Sequence, residues 1–148
     1  MHWLNRNEVH AALGDKSHLI QLEVVEVADS SNSMLMQKAV LGAQHGSCLA
    51  VELQTRGRGR RGRTWHTSLG GSLTFSLLWR FSQGASALSG LSLAVGVAIM
   101  RALAQGGIRD VHLKWPNDIL LNGQKLAGIL IELQGDMLGP SAAVIGIG

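Results

Sequence analysis

The chain has 148 residues, which suits one compact domain and leaves too little for two large ones. Hydrophobic residues make up 46% and charged residues 16%, which excludes a disordered chain, and with only four Trp and two Phe the core must draw on Leu, Val, Ile and Ala. The formal charge of +3 is mild, yet five of the thirteen basic residues fall between Arg56 and Arg63, a local block suited to phosphate, whether of a nucleotide or of a nucleic acid.

In chain order, Met1-His2-Trp3-Leu4-Asn5 has neither the basic start nor the apolar stretch of a signal peptide. Asn5 followed by Glu8 predicts a helix start, with Val9, Ala12 and Leu13 on one face and a stop at Gly14. A strand is expected over 19–27. The turn Asp29-Ser30-Ser31-Asn32-Ser33 is rich in helix caps and opens a helix over 33–41, ended by Gly42. A second strand spans 46–53. It contains Cys48, the only cysteine, which reads as a buried and inert thiol and suits a reducing cytoplasm.

From Gln54 to Leu69 the apolar pattern stops, and a long loop is expected. Alternation resumes over 72–79, with Leu73, Phe75, Leu77 and Trp79 on one face and Thr74 and Ser76 on the other. A helix over 86–105 ends at Gly106-Gly107. It falls short of the roughly 20 apolar residues of a membrane span, so no membrane role is expected. Strands follow over 111–114, 119–121 and 126–133, the last two joined around Asn122-Gly123, a strong hairpin signal. A final strand over 142–147 follows the Gly139-Pro140 turn and runs to Gly148 with no polar exit, which points to a truncated chain. About six strands and three helices result: an α+β domain with a mixed, mostly antiparallel sheet and its helices on one side.

Two segments carry chemistry. In Thr55-Arg56-Gly57-Arg58-Gly59-Arg60-Arg61-Gly62-Arg63, glycines let the backbone approach a ligand closely and arginines offer planar forks for carboxylate or phosphate. Such a run suits a solvated charge stretch, a nucleic-acid contact, or a lid that closes over a phosphate. Its position between two strong strands favours a site. The second segment is Lys114-Trp115-Pro116-Asn117-Asp118, followed after the turn by Lys125-Leu126-Ala127-Gly128-Ile129-Leu130. Both lysines suit either a shared anionic centre or an edge strand guarded against aggregation. Ala127 and Gly128 after Lys125 imply something packed close to the backbone. The six histidines form no ligand pattern, so no metal site is expected from them; Asp118 and Glu132 are the candidates for magnesium, and Asp118 equally suits a turn.

Together these segments resemble the biotin–protein ligase family: a Ser/Thr-Asn turn at Asp29–Asn32, an Arg/Gly loop at Gly57–Gly62 with Trp65, then Lys114–Asp118 and Lys125–Leu130, in order and at matching spacing from about Leu19 to Gly148. The resemblance implies an incomplete catalytic domain over 1–148, of a fold similar to class II aminoacyl-tRNA synthetases, lacking a carboxy-terminal remainder and a small β-barrel. It implies biotin contacts from Ser30, Ser31, Asn32, Gln54, Arg58, Gly59, Arg60, Lys125 and Leu130. It implies ATP or adenylate contacts from Gly57, Arg58, Arg60, Arg61, Trp65, Lys114, Asn117 and Lys125, with Arg58, Arg60 and Lys125 catalytic. ATP and biotin would be substrates and Mg2+ a cofactor. The partner would be the biotin carboxyl carrier protein of acetyl-CoA carboxylase. No DNA binding is expected, and a homodimer is left open. A lipoate-type ligase and a non-catalytic biotin- or RNA-binding fragment are the competing readings.

Overall fold

The computed structural model describes residues 4–148. Helix α1 (Arg6–Leu13) starts where the Asn5 side chain accepts hydrogen bonds from the amides of Asn7 and Glu8, and it stops at Gly14. A 3-10 stretch leads into β1 (Gln21–Ala28). Ser30 then caps α2 (Ser31–Val40), its hydroxyl accepting from the amide of Ser33. Strand β2 (Ser47–Gln54) pairs parallel to β1, so β1–α2–β2 is a crossover unit.

The loop that follows is not structureless. It contains a small hairpin, β3 (Gly57–Arg58) with β4 (Thr64–Trp65), closed by a 3-10 turn in which Arg61 takes a left-handed φ of 57°. A hairpin tied by its own backbone and lying off the main core needs no apolar alternation, which is why the sequence pattern is silent there. Strand β5 (Phe75–Phe81) begins three residues later than the alternation predicts.

The expected helix over 86–105 is broken. A 3-10 turn over 85–88 is separated from α3 (Leu91–Gln105) by Gly90, whose φ of 88° ends one element and opens the next. Strands β6 (Val111–Lys114), β7 (Asp118–Leu121), β8 (Gln124–Gly135) and β9 (Ser141–Ile147) complete the fold. The β7–β8 turn is as expected: Asn122 and Gly123 both take positive φ, the geometry a two-residue hairpin loop requires.

Seven strands form one sheet in the order β1-β2-β5-β9-β8-β7-β6. Only β1–β2 is parallel, so the mixed, mostly antiparallel sheet is as expected. The helices, however, divide between its faces. On one face Leu35 and Ala39 of α2 pack on Leu49, Val51, Leu78, Ala142 and Val144. On the other, Val9 of α1 packs on Leu22, Cys48 and Ala50, and Gly96 of α3 lies against Leu113 so closely that a Cβ would meet its Cδ1 at 2.7 Å. Strands covered on both faces have to be apolar on both, as β2 is from Cys48 to Val51. No helix among the described residues is long and apolar enough to cross a membrane.

Two predictions follow from this packing. Leu78 is wholly buried against α2. Leu78→Ala is expected to cost about 2–5 kcal/mol by urea denaturation, and a loss below about 1 kcal/mol would contradict the placement. Burial pushes the Cys48 thiol up to about 11. Near pH 8 the native chain should be alkylated roughly a hundredfold more slowly than the urea-unfolded chain, and equal rates would place Cys48 at the surface.

Candidate active site

The start of α2 forms the closed end of a cavity. Ser30, Ser31 and Asn32 are all buried there. The amide of Ser31 donates to Oε1 of Gln54 at 2.6 Å, so the side-chain oxygen of Gln54 satisfies the helix end and its NH2 group is the part left to offer. Ser76, fully buried on β5, lies 2.6 Å from Oδ1 of Asn32 and 2.8 Å from Oγ of Ser31. Because an amide oxygen only accepts, Ser76 donates to Asn32 and accepts from Ser31. Asn32 in turn donates to the carbonyl of Leu130 at 3.1 Å and to Oε2 of Glu132 at 2.9 Å. Its N–H groups are therefore spent within the protein, and Asn32 is a brace of this wall. Thr74, two residues before Ser76 on the same face, is buried with no hydrogen-bond partner for its hydroxyl among the described residues.

Two side-chain contacts and two backbone bonds root the lid. Thr55 donates to Asp29, its amide bonds to Ala28 and that of Arg56 to Asp29, while Thr67 holds the amide of Gln54 at 2.9 Å. Arg58 grips Glu132 with both terminal nitrogens, at 2.9 and 2.6 Å. Arg60 donates to Oδ1 of Asn117 at 3.0 Å, and Asn117 is itself fixed through its NH2 group to the carbonyl of Ile129 at 2.9 Å. Opposite, Lys125 on β8 pairs with Asp118 on β7 at 2.9 Å and sits 5.1 Å from the centre of the Trp65 ring.

Gly128 and Gly148 explain how Trp65 fits. Their backbones bond to each other at 2.8 and 3.2 Å, and a Cβ on either would meet the Trp65 ring, at 3.1 Å for Gly128 and 2.6 Å for Gly148. The close packing expected behind Ala127-Gly128 is thus the lid tryptophan lying on a glycine pair.

These parts enclose one cavity of about 400 Å³. The expected biotin and ATP contacts all line it except Gly57 and Lys114; of the two magnesium candidates Asp118 lines it and Glu132 does not. Gly57 lies beneath, at the base of the hairpin, where a Cβ would meet the carbonyl of Trp65 at 2.3 Å. Lys114 is exposed on β6, the edge strand, outside this lining. Sequence reasoning missed Thr74, Thr64, Gly146 and Ile147 as lining residues; for Thr74 a signal existed, since it falls with Ser76 on the polar side of the 72–79 alternation. A second hollow of about 940 Å³ lies beside β1 and α2; of its charged lining residues Arg6, Glu23 and Lys38, the last two are paired with each other.

Along β8 the lining changes character. From Leu130, beside the polar closed end, to Lys125 at the cationic rim is about 16 Å at 3.3 Å per residue. The shape suits an elongated molecule with a hydrogen-bonding head, an apolar middle and an anionic end.

A model of the biotin/lipoate A/B protein ligase family matches residues 24–148. The chain belongs to that family. Among its curated members, the bifunctional ligase/repressor BirA of Escherichia coli is 42% identical over 84% of this chain and 39% of its own length. The biotin–[acetyl-CoA-carboxylase] ligase of Mycobacterium tuberculosis is 39% identical over 82% of this chain and 47% of its own. The solved structure of Aquifex aeolicus biotin protein ligase, in complex with biotin and ATP, aligns with a TM-score of 0.68 at 31% identity, covering 86% of this chain and 52% of that one. The chain therefore spans about half the length or less of the family members it matches.

Magnesium is a separate matter. Among the described residues no group of three His, Cys, Asp or Glu could hold a metal ion. Asp118, which lines the cavity, and Glu132, which lies outside its lining, are each engaged by a cation. This donor set does not make a protein-held magnesium site.

Ser76→Ala would leave the Ser31 hydroxyl and the Asn32 oxygen unpaired in a buried setting. The expected cost is about 1–3 kcal/mol of stability by denaturant titration, and a change within error would mean that water replaces the lost hydroxyl.

Proposed function

We propose that this chain carries the biotin-activating site of a biotin–protein ligase. The observation that carries the reading is the order of groups along β8: hydrogen-bonding wall, apolar stretch, then Lys125 with the lid arginines. The ureido ring of biotin would meet Gln54, Ser31 and the unpartnered Thr74 hydroxyl, since buried polar groups generally have partners. Leu130 and Ile147 would flank the alkyl tail. The carboxylate would reach Lys125 and Arg60, and Trp65 would cover the nucleotide end.

The reaction is adenylation. A biotin carboxylate oxygen attacks the α-phosphorus of ATP, the new O–P bond forms, and the bond to the β-phosphate breaks to release pyrophosphate. Arg58, Arg60 and Lys125 stabilise negative charge that accumulates on the phosphate oxygens. A lysine amine of the acceptor then attacks the acyl carbon, AMP leaves, and the amine loses its proton as the amide forms. The acceptor is proposed to be the carboxyl carrier protein of acetyl-CoA carboxylase. Names of relatives that are biotin–[acetyl-CoA-carboxylase] ligases support this choice. No covalent enzyme nucleophile is required, in keeping with an inert Cys48.

The family also includes lipoate ligases, and a lipoate-type substrate is the second reading. A dithiolane ring offers no hydrogen-bonding head, so the polar closed end favours biotin. Pyrophosphate release in the presence of ATP and biotin, compared with ATP and lipoate, distinguishes them; release with lipoate alone would overturn the biotin reading. Lys125→Ala is expected to reduce biotin-dependent release by a factor of about 100 or more while the thermal midpoint stays near that of the parent. Undiminished release would remove Lys125 from the chemistry.

A further inference from the structure

The geometry points to Glu132 as a positioning residue that joins the closed end of the cavity to the lid. The inference rests on the ligase reading above and extends it to a group outside the expected contact set. Glu132 stands on β8 beside the buried wall, with its side chain about a quarter exposed. Oε2 accepts from Nδ2 of Asn32 at 2.9 Å and from Nη2 of Arg58 at 2.6 Å, while Oε1 accepts from Nη1 of Arg58 at 2.9 Å. One carboxylate thus holds two groups that are far apart in sequence and belong to different parts of the site.

The contacts continue on both sides. Asn32 receives the Ser76 hydroxyl at 2.6 Å, and Ser76 lies 2.8 Å from the Ser31 hydroxyl. Ser31, Ser76, Asn32, Glu132 and Arg58 therefore form one unbroken line of hydrogen bonds from the helix start to the lid. A guanidinium has five N–H donors, and the fork to Glu132 uses two of them. The remaining three stay available, so Arg58 can hold an anionic ligand without leaving Glu132. The pair is part of the assembled site, and ligand binding has no need to break it. If instead Glu132 competed with the ligand for Arg58, removing its charge would tighten binding.

Glu132→Gln is the informative change. Its amide oxygen still accepts from Asn32, but the charged fork to Arg58 is lost. Arg58→Lys keeps the charge and loses the fork from the other side. Calorimetric titration with biotin is carried out on the parent chain, each single variant and the double variant. Each single change is expected to weaken binding about tenfold, and the double change scarcely more than either alone, because the second partner has nothing left to position. Multiplicative losses of about a hundredfold, or tighter binding by E132Q, would overturn the coupling.

A second measurement needs no ligand. Slow rotation of the Arg58 guanidinium in nitrogen-15 NMR spectra, lost in E132Q, supports the tie; fast rotation in both chains refutes it. Absence of biotin binding by the parent chain would instead count against the ligase reading, with the NMR comparison still deciding whether Glu132 holds Arg58.

Discussion

The pairing register of β8 and β9 underlies the whole site. It sets Leu130 opposite Gly146 and Ile129 opposite Ile147, and the Gly128–Gly148 pair follows. Gly146 then lies beneath Asn32, where a Cβ would come within 2.2 Å of its Oδ1, and the Gly128–Gly148 pair lies beneath Trp65. A slip of one residue would turn every one of these positions to the opposite face. The polar wall would then meet side chains of α3, and the lid tryptophan would have no flat floor. Glycine at three positions on two neighbouring strands weakens the sheet locally. What it provides is space: the side chains of Asn32 and Trp65 reach the backbone, and the cavity extends between them.

The site's charges are arranged on that floor with little consequence for stability. The Arg58–Glu132 and Lys125–Asp118 pairs are each partly open to solvent, and such pairs contribute only about 0–1 kcal/mol. A single buried leucine of the α2 core is worth several times that. Stability is therefore concentrated in the α2 face of the sheet, and the lid pairs serve geometry. They hold cations at fixed places around a hollow whose charge stays positive: Arg60, Arg61 and Arg63 also line it, against the one lining carboxylate, Asp118. An anionic end of a ligand enters a site already oriented to receive it.

Much of this was readable from the residues because the local chemistry and the fold agree. The Asn5 and Ser30 caps, the Asn122-Gly123 turn and the alternation of Thr74 and Ser76 against Phe75 and Leu77 each report a short-range rule that the tertiary structure respects. The four motifs identified the cavity because most of their residues do line it. The failures have equally physical causes. Gly90 divides the expected long helix; the Ser89-Gly90 pair was the available signal, outweighed by the apolar residues on either side of it. The division of helices between the two faces was hidden because β2 and β9 are apolar on both sides, a pattern that names no partner. For Lys114, only strand order reveals that β6 is the edge of the sheet and that the side chain is exposed there.

Asn32 shows where motif reading and geometry part. A motif assigns a residue to a ligand by its position in the chain, but hydrogen-bonding capacity is finite. Both N–H groups of Asn32 are engaged, by Leu130 and Glu132, and its oxygen already accepts from Ser76. What such a residue contributes to recognition is rigidity, since every member of its network has a partner and none can rotate without stranding another. Groups with a donor to spare include the Gln54 amide, held at its far end by the Ser31 amide, and the Thr74 hydroxyl, without a partner among the described residues. The closed end thus separates its work: Asn32, Ser76 and Glu132 keep the wall in place, and the neighbours they position face the cavity.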